Sequence, residues 1–227
     1  MQLNIVKSGS GVSMEIKTFI TPFLKSNMYI FIEDGHILII DPYATEELLQ
    51  KIRKWGGSVD YLLLTHEHYD HISGVNAFKK EFECQVLCSK ACAERIIDSR
   101  LNYSRHFEAY CIIQNGLKKG EAPKVEPYSC TADDTFSDYQ SFDWQGHTIE
   151  LIETPGHTRG SICILLDKTI LLSGDTLLPE VKTETKNYKN GSKDFEETSK
   201  PFLKALQPDT LVYPGHGEKF LIKNYQF

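Results

Sequence analysis

The sequence lacks several features that would place it in a specialised class of protein. It has no run of about 18 apolar residues, so we expect no membrane-spanning helix. Residues 1–9 lack the basic start and long apolar stretch of a signal peptide, and we expect a cytoplasmic protein. Low-complexity segments are absent. The formal net charge of −6 disfavours nucleic acids and anionic membranes as partners, because a negative field repels polyanions.

Cysteine occurs six times, but never as a Cys-x-x-Cys pair. A chain of 227 residues buries a core large enough to be stable without disulfide bonds. Cys84, Cys88 and Cys92 are spaced four apart, which on one helix face would suit a soft metal or a redox site. Cys84 and Cys88 nevertheless flank the apolar segment 85–87, which is typical of a strand. We therefore predict reduced, structural thiols.

The rest of the composition, 41% hydrophobic and 25% charged, is that of a globular protein. Apolar runs at 28–32 and 37–40 enclose Asp34-Gly35, which is a strong hairpin signal. Thr45 is predicted to cap a helix that extends to Lys54. A buried strand is predicted at 59–64. The N-terminal half therefore alternates strands and helices.

Residues 89–130 interrupt this pattern. Helices are predicted at 91–98 and 103–114, followed by a loop at 116–127 that contains Gly and Pro. We interpret the segment as a helical insertion in a single domain of residues 1–227, because it is too short for a core of its own. Further strands are predicted at 147–152, 161–166, 169–172 and 210–213, and a further helix at 195–206.

Four side chains of the kind that bind metals follow the buried strand 59–64 directly: His66, His68, Asp70 and His71. Imidazole and carboxylate groups suit zinc and other divalent first-row metals. Because a tight loop directs alternate side chains to different points, His66 and His68 can bind one ion while Asp70 and His71 bind another. The alternative is a solvated polar loop, which rarely concentrates four such residues by chance.

Three later strands are each followed by a glycine and one further residue of this kind, namely His157, Asp175 and His216. Each alone is typical of a surface turn. Together with the first motif they account for five of the eight histidines. The other three are predicted to be ordinary surface or packing residues: His36, His106 and His147.

These motifs, in this order along the chain, resemble those of the metallo-β-lactamase superfamily. The motifs are Thr65-His66-Glu67-His68-Tyr69-Asp70-His71, Thr154-Pro155-Gly156-His157-Thr158, Gly174-Asp175-Thr176 and Pro214-Gly215-His216-Gly217. The resemblance implies an α/β (α+β) fold, an αββα sandwich of two mixed β-sheets flanked by helices, with metals at its rim. Within the superfamily the chain looks most like short glyoxalase II-type, hydroxyacylglutathione hydrolase-like proteins, on the basis of segments 98–104, 157–161 and 174–177.

The resemblance also implies a role for each ligand. The first metal is bound by His66, His68 and His157, the second by Asp70, His71 and His216, and Asp175 bridges the two. Two divalent cations, zinc with iron or manganese as alternatives, would lower the pKa of a bridging water toward neutrality. The resulting hydroxide would be the nucleophile, and Asp70 would orient it as a catalytic group.

The implied reaction is hydrolysis of a thioester, an ester or a lactone. The alternatives are a phosphodiesterase of the same fold, a persulfide dioxygenase with a single iron, and a non-catalytic binding module. Asp175 stands where β-lactamases of the superfamily usually have Cys or Ser, and His68 where flavodiiron relatives have Glu. Glyoxalase II has a helical C-terminal domain that helps to bind glutathione, and we do not expect its contribution because only residues 218–227 follow Gly217.

The expected partner is a small-molecule substrate, and the oligomeric state is left open. Arg159 follows His157 by two positions and is a candidate contact for an anionic substrate. Lys186 and Lys189, in the loop after Asp175, are candidates for the same role. Tyr69 is predicted either to donate to an oxyanion or to pack beneath the site.

Overall fold

A computed structural model describes residues 2–7, 13–22, 24–118 and 120–227. Met1, Ser8 and Gly9 of the segment predicted to lack a signal peptide lie outside the described residues. The chain divides into two compact units. The first unit comprises Met1–Leu64, His68–Leu87 and Glu94–Asp134, and the second comprises Thr65–Glu67, Cys88–Ala93 and Thr135–Phe227. That residues 1–227 form a single domain stays a prediction.

The first unit contains most of a seven-stranded mixed sheet with the order β1-β2-β3-β4-β5-β6-β7. The strands are β1 (Gln2–Lys7), β2 (Ser13–Ile20), β3 (Asn27–Glu33), β4 (His36–Ile40), β5 (Ser58–Leu63), β6 (Gln85–Ser89) and β7 (Asp134–Phe136). Strands β1 to β4 pair antiparallel, and β4, β5 and β6 pair parallel. The parallel pairs bring the carboxyl ends of β4 and β5 to the same edge, where the first candidate ligands begin.

Local sequence explains the connections around β4. Asp34 and Gly35 both have positive φ angles, +47° and +80°, as a tight two-residue hairpin requires. Helix α1 (Glu46–Trp55) begins where the hydroxyl of Thr45 accepts a hydrogen bond from the amide of Leu48 at 3.2 Å. It ends at Gly56, whose φ is +71°. The predicted hairpin and capped helix are both confirmed.

Short helices follow the middle strands of this sheet. They are α2 (Tyr69–Ile72), α3 (Val75–Glu81), α4 (Lys90–Ile96) and α5 (Phe107–Asn115), with a 3₁₀ turn at Ser104–His106. The helices predicted at 91–98 and 103–114 are therefore present. The described residues of the predicted loop 116–127 contain no helix or strand. Assignment of 89–130 as an insertion stays a prediction.

The second unit contains a six-stranded mixed sheet with the order β13-β12-β11-β10-β9-β8. Its strands are β8 (Tyr139–Trp144), β9 (His147–Glu153), β10 (Ile162–Leu166), β11 (Ile170–Gly174), β12 (Leu211–Pro214) and β13 (Phe220–Leu221). Only the β11–β12 pair is parallel among those described. A helical run of α6 (Gly191–Asp194), a π turn (Phe195–Ser199) and α7 (Lys200–Ala205) replaces the predicted helix 195–206, and a 3₁₀ turn follows at Ile222–Asn224.

Every residue of β10 and β11 is buried, and both strands are apolar except for Ser173 and Gly174 at the end of β11. The core around them consists of Cys163, Leu165, Leu171, Leu177, Phe195, Leu203, Val212 and Ile222. All six cysteines are buried, as predicted for structural thiols, and among the described residues, which include all of them, none forms a disulfide. No helix in the described part of the chain is long and apolar enough to cross a membrane. The prediction of two mixed sheets flanked by helices is confirmed.

Candidate metal centre

In the second unit, two candidate ligands follow neighbouring strand ends. Strands β11 and β12 run parallel, with Gly174 opposite Pro214. The amide of Gly215 donates to the carbonyl of Gly174 at 2.7 Å, which fixes the two chains where the sheet stops. Asp175 and His216 follow directly. Side chains at the carboxyl ends of parallel strands meet at one edge of a sheet, and these two do so.

Three imidazole nitrogens lie around one carboxylate oxygen of Asp175. Its Oδ2 atom is 3.4 Å from Nε2 of His157 and 3.5 Å from Nε2 of His216. Nε2 of His66 is 3.9 Å from the same oxygen. Two ligands of a tetrahedral zinc ion, each about 2.0–2.1 Å from the metal, are about 3.4 Å apart. The donor set and its spacing therefore fit a divalent metal ion.

The other ring nitrogen of two of these histidines has a partner of its own. Nδ1 of His66 lies 3.0 Å from the hydroxyl of Thr65, and Nδ1 of His157 lies 3.3 Å from the carbonyl of Glu184. A hydrogen bond at Nδ1 orients the ring and leaves Nε2 as the ligand atom. Both rings are thus oriented with Nε2 toward Asp175. The ring centroids of His66 and His157 are 5.0 Å apart, at an interplanar angle of 82°.

The loop that carries His157 is fixed by its neighbours in the same unit. The hydroxyl of Ser199 donates to the carbonyl of Pro155 at 2.6 Å. The side-chain amide of Asn187 donates to the carbonyl of His157 at 3.0 Å. A side chain at Gly156 would lie 2.8 Å from Cβ of Phe195. The glycine that precedes this ligand therefore permits close packing of the helical segment against the loop.

Glu67 is fully buried and lies between the candidate ligands His66 and His68 in the chain. The hydroxyl of Thr158 donates to its Oε2 atom at 2.7 Å. Thr158 also lies 2.9 Å from the hydroxyl of Ser161. The segment 65–67 and the loop after His157 are thereby connected by a buried hydrogen bond. This contact was not predicted, because nothing in the sequence pattern distinguishes Glu67 from a surface carboxylate.

In the first unit, His71 lies between two carboxylates. Its Nδ1 atom is 2.8 Å from Oδ2 of Asp41, and its Nε2 atom is 3.4 Å from Oδ2 of Asp70. His71 is fully buried and Asp41 is nearly so. Asp41 thus occupies the position of a carboxylate that orients a ligand, whereas Asp70 and His71 have the spacing of two ligands of one ion. Asp41 was not predicted, although the ending of strand 38–40 on an aspartate was its signal.

The remaining residues of the first motif pack against aromatic residues that follow in the chain. The ring of His68 lies 4.9 Å from that of Tyr103. The ring of Tyr69 contacts Phe107 and Tyr128 at centroid distances of 4.9 and 5.3 Å. Burial raises the pKa of the Tyr69 hydroxyl, with a smaller contribution from Tyr43. Of the two roles predicted for Tyr69, packing is the one these contacts favour.

The other predicted substrate contacts lie at the surface. Arg159, Lys186 and Lys189 are all exposed, so each is accessible to a ligand, and their role stays a prediction. His147 is buried and bonds Asp167 through Nδ1 at 2.6 Å, while the partly exposed His36 bonds Asp60 at 2.9 Å. These two histidines are paired with carboxylates away from the candidate ligands, in line with the packing role predicted for them.

Curated relatives of the chain are mostly hydroxyacylglutathione hydrolases. That of Polaromonas sp. is 30% identical over 191 residues, which cover 81% of this chain and 58% of the relative. That of Aeromonas hydrophila is 25% identical over 205 residues, covering 90% and 65%. The chain thus spans about three fifths of the length of these relatives. The probable metallo-hydrolase YqgX of Bacillus subtilis is 26% identical and matches over 86% of both chains.

Solved structures with the same fold include the BLEG-1 B3 metallo-β-lactamase, with a TM-score of 0.78, 23% identity, and coverage of 92% of this chain and 95% of that one. ETHE1 from Myxococcus xanthus has a TM-score of 0.68 at 20% identity, with coverage of 92% and 80%. At these identities the likeness concerns the fold alone. The family model of the metallo-β-lactamase superfamily matches residues 21–216. The fold, the ordered histidine and aspartate motifs and this match together show that the chain belongs to the metallo-β-lactamase superfamily.

Proposed function

We propose that the protein is a hydrolase that binds two divalent metal ions, preferably zinc, and cleaves a thioester, ester or lactone bond. The observation that carries the proposal is the arrangement around Asp175, where three imidazole Nε2 atoms lie 3.4–3.9 Å from one carboxylate oxygen. Such a set of nitrogen and oxygen donors suits zinc and similar first-row metals.

The proposal assigns seven ligands to one pair of ions. One ion would be held by His66, His68 and His157 and the other by Asp70, His71 and His216, and Asp175 would serve as a ligand of both. The assignment of His66 and His68 to one ion is supported by the chain itself, in which only Glu67 separates them. When bound, such ions polarise an acyl carbonyl and lower the pKa of a water molecule toward neutrality.

The protein groups then have distinct tasks. The Asp70 carboxylate accepts a hydrogen bond from the attacking water and so orients it toward the substrate carbonyl. Asp41 accepts a hydrogen bond from the Nδ1–H group of His71, so that Nε2 of this ring remains the ligand atom. A thiolate leaving group requires no proton from the enzyme, and no general acid has to be assigned for a thioester. An aspartate at position 175, rather than the Cys or Ser usual in β-lactamases of the superfamily, favours two ions over one.

The names of the curated relatives support a thioester as the bond cleaved. The remainder of their substrate is a separate question, since the chain spans only about three fifths of their length. We propose that Arg159, Lys186 and Lys189 form the exposed positive rim that meets an anionic substrate. A cytoplasmic location and action on a small molecule are part of the same proposal.

Metal analysis combined with a substrate panel tests this function. The protein as purified, and after addition of zinc, is analysed for metal content and assayed with acyl thioesters, lactones and bis-p-nitrophenyl phosphate. We expect about two ions per chain and cleavage of thioesters. Cleavage of the phosphate diester alone would assign a phosphodiesterase. A single iron with oxygen uptake on a persulfide would assign a dioxygenase.

Alanine substitutions at two histidines, one a proposed ligand and one not, provide matched variants. His157→Ala removes a proposed ligand and is expected to lose one ion and at least about 100-fold in kcat/KM, since even residues that only support ligands contribute 10–100-fold. His36→Ala removes a histidine that bonds Asp60 and no proposed ligand. It is expected to keep both ions and full activity. Equal loss in both variants would contradict the assignment.

A further inference from the structure

A cavity of about 170 Å³ lies in the first unit beside Asp70. Its wall consists mainly of apolar and aromatic side chains: Leu24, Tyr43, Tyr69, Phe107, Pro123 and Val125. Phe107 is buried in a small apolar cluster with Cys111 and Ala122, against which Leu24, Tyr69 and Val125 pack. The wall is therefore formed by packed side chains of the unit, and the volume resembles that of an apolar cavity of about 150 Å³ that binds benzene.

Charge is scarce in this cavity. Among the described residues that line it, Asp70 is the only charged side chain, and the other polar ones are hydroxyl groups such as Thr21 and Ser73. No described lining residue is Lys or Arg. The carboxylates of a glutathione moiety would find no counter-charge in such a cavity and would face Asp70 instead. An uncharged, apolar group is the ligand that this wall fits.

The position of Asp70 relates the cavity to the chemistry. Tyr69 and Asp70 both line it, and the Asp70 carboxylate lies 3.4 Å from His71, another proposed ligand of the same ion. The Asp70 main-chain carbonyl accepts a hydrogen bond from Ser26 at 3.1 Å, which fixes the residue at the cavity wall. A molecule in the cavity therefore lies next to a group proposed to orient the attacking water.

We propose that this cavity binds the acyl side of the substrate, and that the acyl group is an uncharged hydrocarbon chain of several carbons. This inference rests on the proposed function, since it assigns the acyl specificity of that hydrolase. The thiol or alcohol side of the scissile bond then lies outside the cavity. The segment 107–125, which contributes Phe107, Pro123 and Val125, determines the acyl preference.

The inference predicts a dependence on chain length. Each methylene buried in an apolar site contributes about 0.8 kcal/mol, which corresponds to about fourfold in kcat/KM. For N-acetylcysteamine thioesters we expect kcat/KM to rise about fourfold per methylene from acetyl to hexanoyl. A succinyl thioester, which carries a terminal carboxylate, is expected to be poorer than the butyryl thioester of the same chain length. If kcat/KM did not change with the length of the acyl chain, the inference would be overturned.

Two substitutions at one partly exposed wall residue test the site directly. Val125→Phe fills the cavity and should abolish the gain beyond the butyryl group while sparing the acetyl substrate. Val125→Lys supplies a positive charge and should raise the succinyl-to-butyryl ratio at least tenfold. Lys124→Phe places the same aromatic ring on the exposed neighbour, which does not line the cavity, and should leave the series unchanged. Identical series in Val125→Phe and the parent would reject the site.

Binding without turnover separates this inference from the proposed function. Saturation-transfer NMR with 1-butanol and 1-hexanol measures occupation of the cavity by an uncharged alkyl chain. We expect stronger transfer to hexanol, lost in Val125→Phe and kept in Lys124→Phe. If no thioester is cleaved but this pattern is seen, the cavity is an alkyl site and the hydrolase assignment is wrong. Thioester cleavage without chain-length dependence or alcohol binding would leave the hydrolase and remove the acyl site.

Discussion

The Oδ2 atom of Asp41 lies 2.8 Å from Nδ1 of His71, and both side chains are buried. Asp41 ends the strand segment 38–40, and its amide donates to the carbonyl of Leu63 on the neighbouring parallel strand at 3.0 Å. The backbone of two strands therefore fixes the carboxylate, and the carboxylate fixes the ring. The sheet thus positions His71 through a residue that we do not expect to touch the metal.

Asp41→Asn should weaken metal binding without removing a ligand. The neutral amide still accepts from Nδ1 of His71 but polarises the ring less, and its NH₂ group can take the place of the oxygen. Loss of such a supporting carboxylate typically lowers metal affinity 10–100-fold. Competition with a chromophoric chelator measures the affinity for each zinc ion, and only one of the two is expected to change.

Asp60→Asn is the matched control for this substitution. Asp60 bonds Nδ1 of His36 at 2.9 Å, so the same kind of pair is altered at a histidine that is not a proposed ligand. Both zinc affinities should equal those of the parent protein. An equal fall in the two variants would mean that the substitution acts on the fold as a whole.

Thr158→Val should lower the stability of the second unit. The substitution keeps the shape of the side chain but removes the hydroxyl that donates to the buried carboxylate of Glu67 at 2.7 Å. Hydrogen bonds to charged groups contribute about 1.5–3 kcal/mol. We expect a loss of that size in the free energy of unfolding by urea. Thr148→Val, at an exposed position of β9, should change it by less than about 0.5 kcal/mol.

Much of the fold follows from local sequence signals. Asp34-Gly35 between apolar runs, Thr45 before Glu46 and Glu47, and Gly56 after the helix each act over a few residues. Strands without such signals were missed: β1, β2, β7, β8 and β13. In β8 the side chains alternate between exposed and half-buried, and helix α3 is so short that only Val75 and Phe78 are buried on it. A pattern of two apolar residues is too brief to distinguish a helix from a turn.

The candidate ligands were accessible to prediction because each follows a strand, whereas their convergence was implied only by the resemblance to the superfamily and not by their spacing. The distance between Asp175 and His216 depends on the register that places Gly174 beside Pro214. That between His66 and His157 depends on tertiary contacts across 91 positions of the chain, and spacing in the sequence carries no information about them. The supporting roles of Asp41 and Glu67 were not predicted either, because their partners His71 and Thr158 lie 30 and 91 positions away in the chain.

Gly174→Ala should damage both stability and metal binding. Gly174 has a φ of +49°, and an added Cβ would lie 2.7 Å from Cβ of Thr65 and even closer to its hydroxyl. Thr65 in turn contacts Nδ1 of His66 at 3.0 Å. Overpacking costs about 1–3 kcal/mol, in addition to the cost of positive φ. Chemical unfolding and zinc affinity should both show the change.

Gly146→Ala isolates the contribution of the backbone. Gly146 has a φ of +79°, and an added Cβ would have no atom within 4 Å. The cost at this turn is therefore that of a left-handed alanine alone, about 1 kcal/mol. The difference between the two alanine variants gives the cost of the contact with Thr65. If Gly174→Ala were no worse than Gly146→Ala, the steric explanation would fail.

Cys163 should make the protein less stable at alkaline pH. Burial raises the pKa of its thiol from 9.0 to about 12. Between these values the thiol is protonated in the folded protein and ionised in the unfolded chain, so unfolding releases a proton. The free energy of unfolding therefore keeps its full value below pH 9.0 and falls as the pH rises toward 12.

Cys163→Ala removes the thiol that releases this proton on unfolding. The variant begins less stable because it leaves a small void in the core, but that cost does not depend on pH. The stability difference from the parent should therefore shrink between pH 9 and pH 11, by at most about 1.4 kcal/mol per pH unit.

Burial also raises the pKa of Cys84 and of Cys111 to about 11. Both thiols are present in the two proteins, so their contributions cancel in the comparison. Urea unfolding at half-unit steps of pH measures the difference, and parallel curves would show that the thiol of Cys163 does not titrate differently in the folded and unfolded protein.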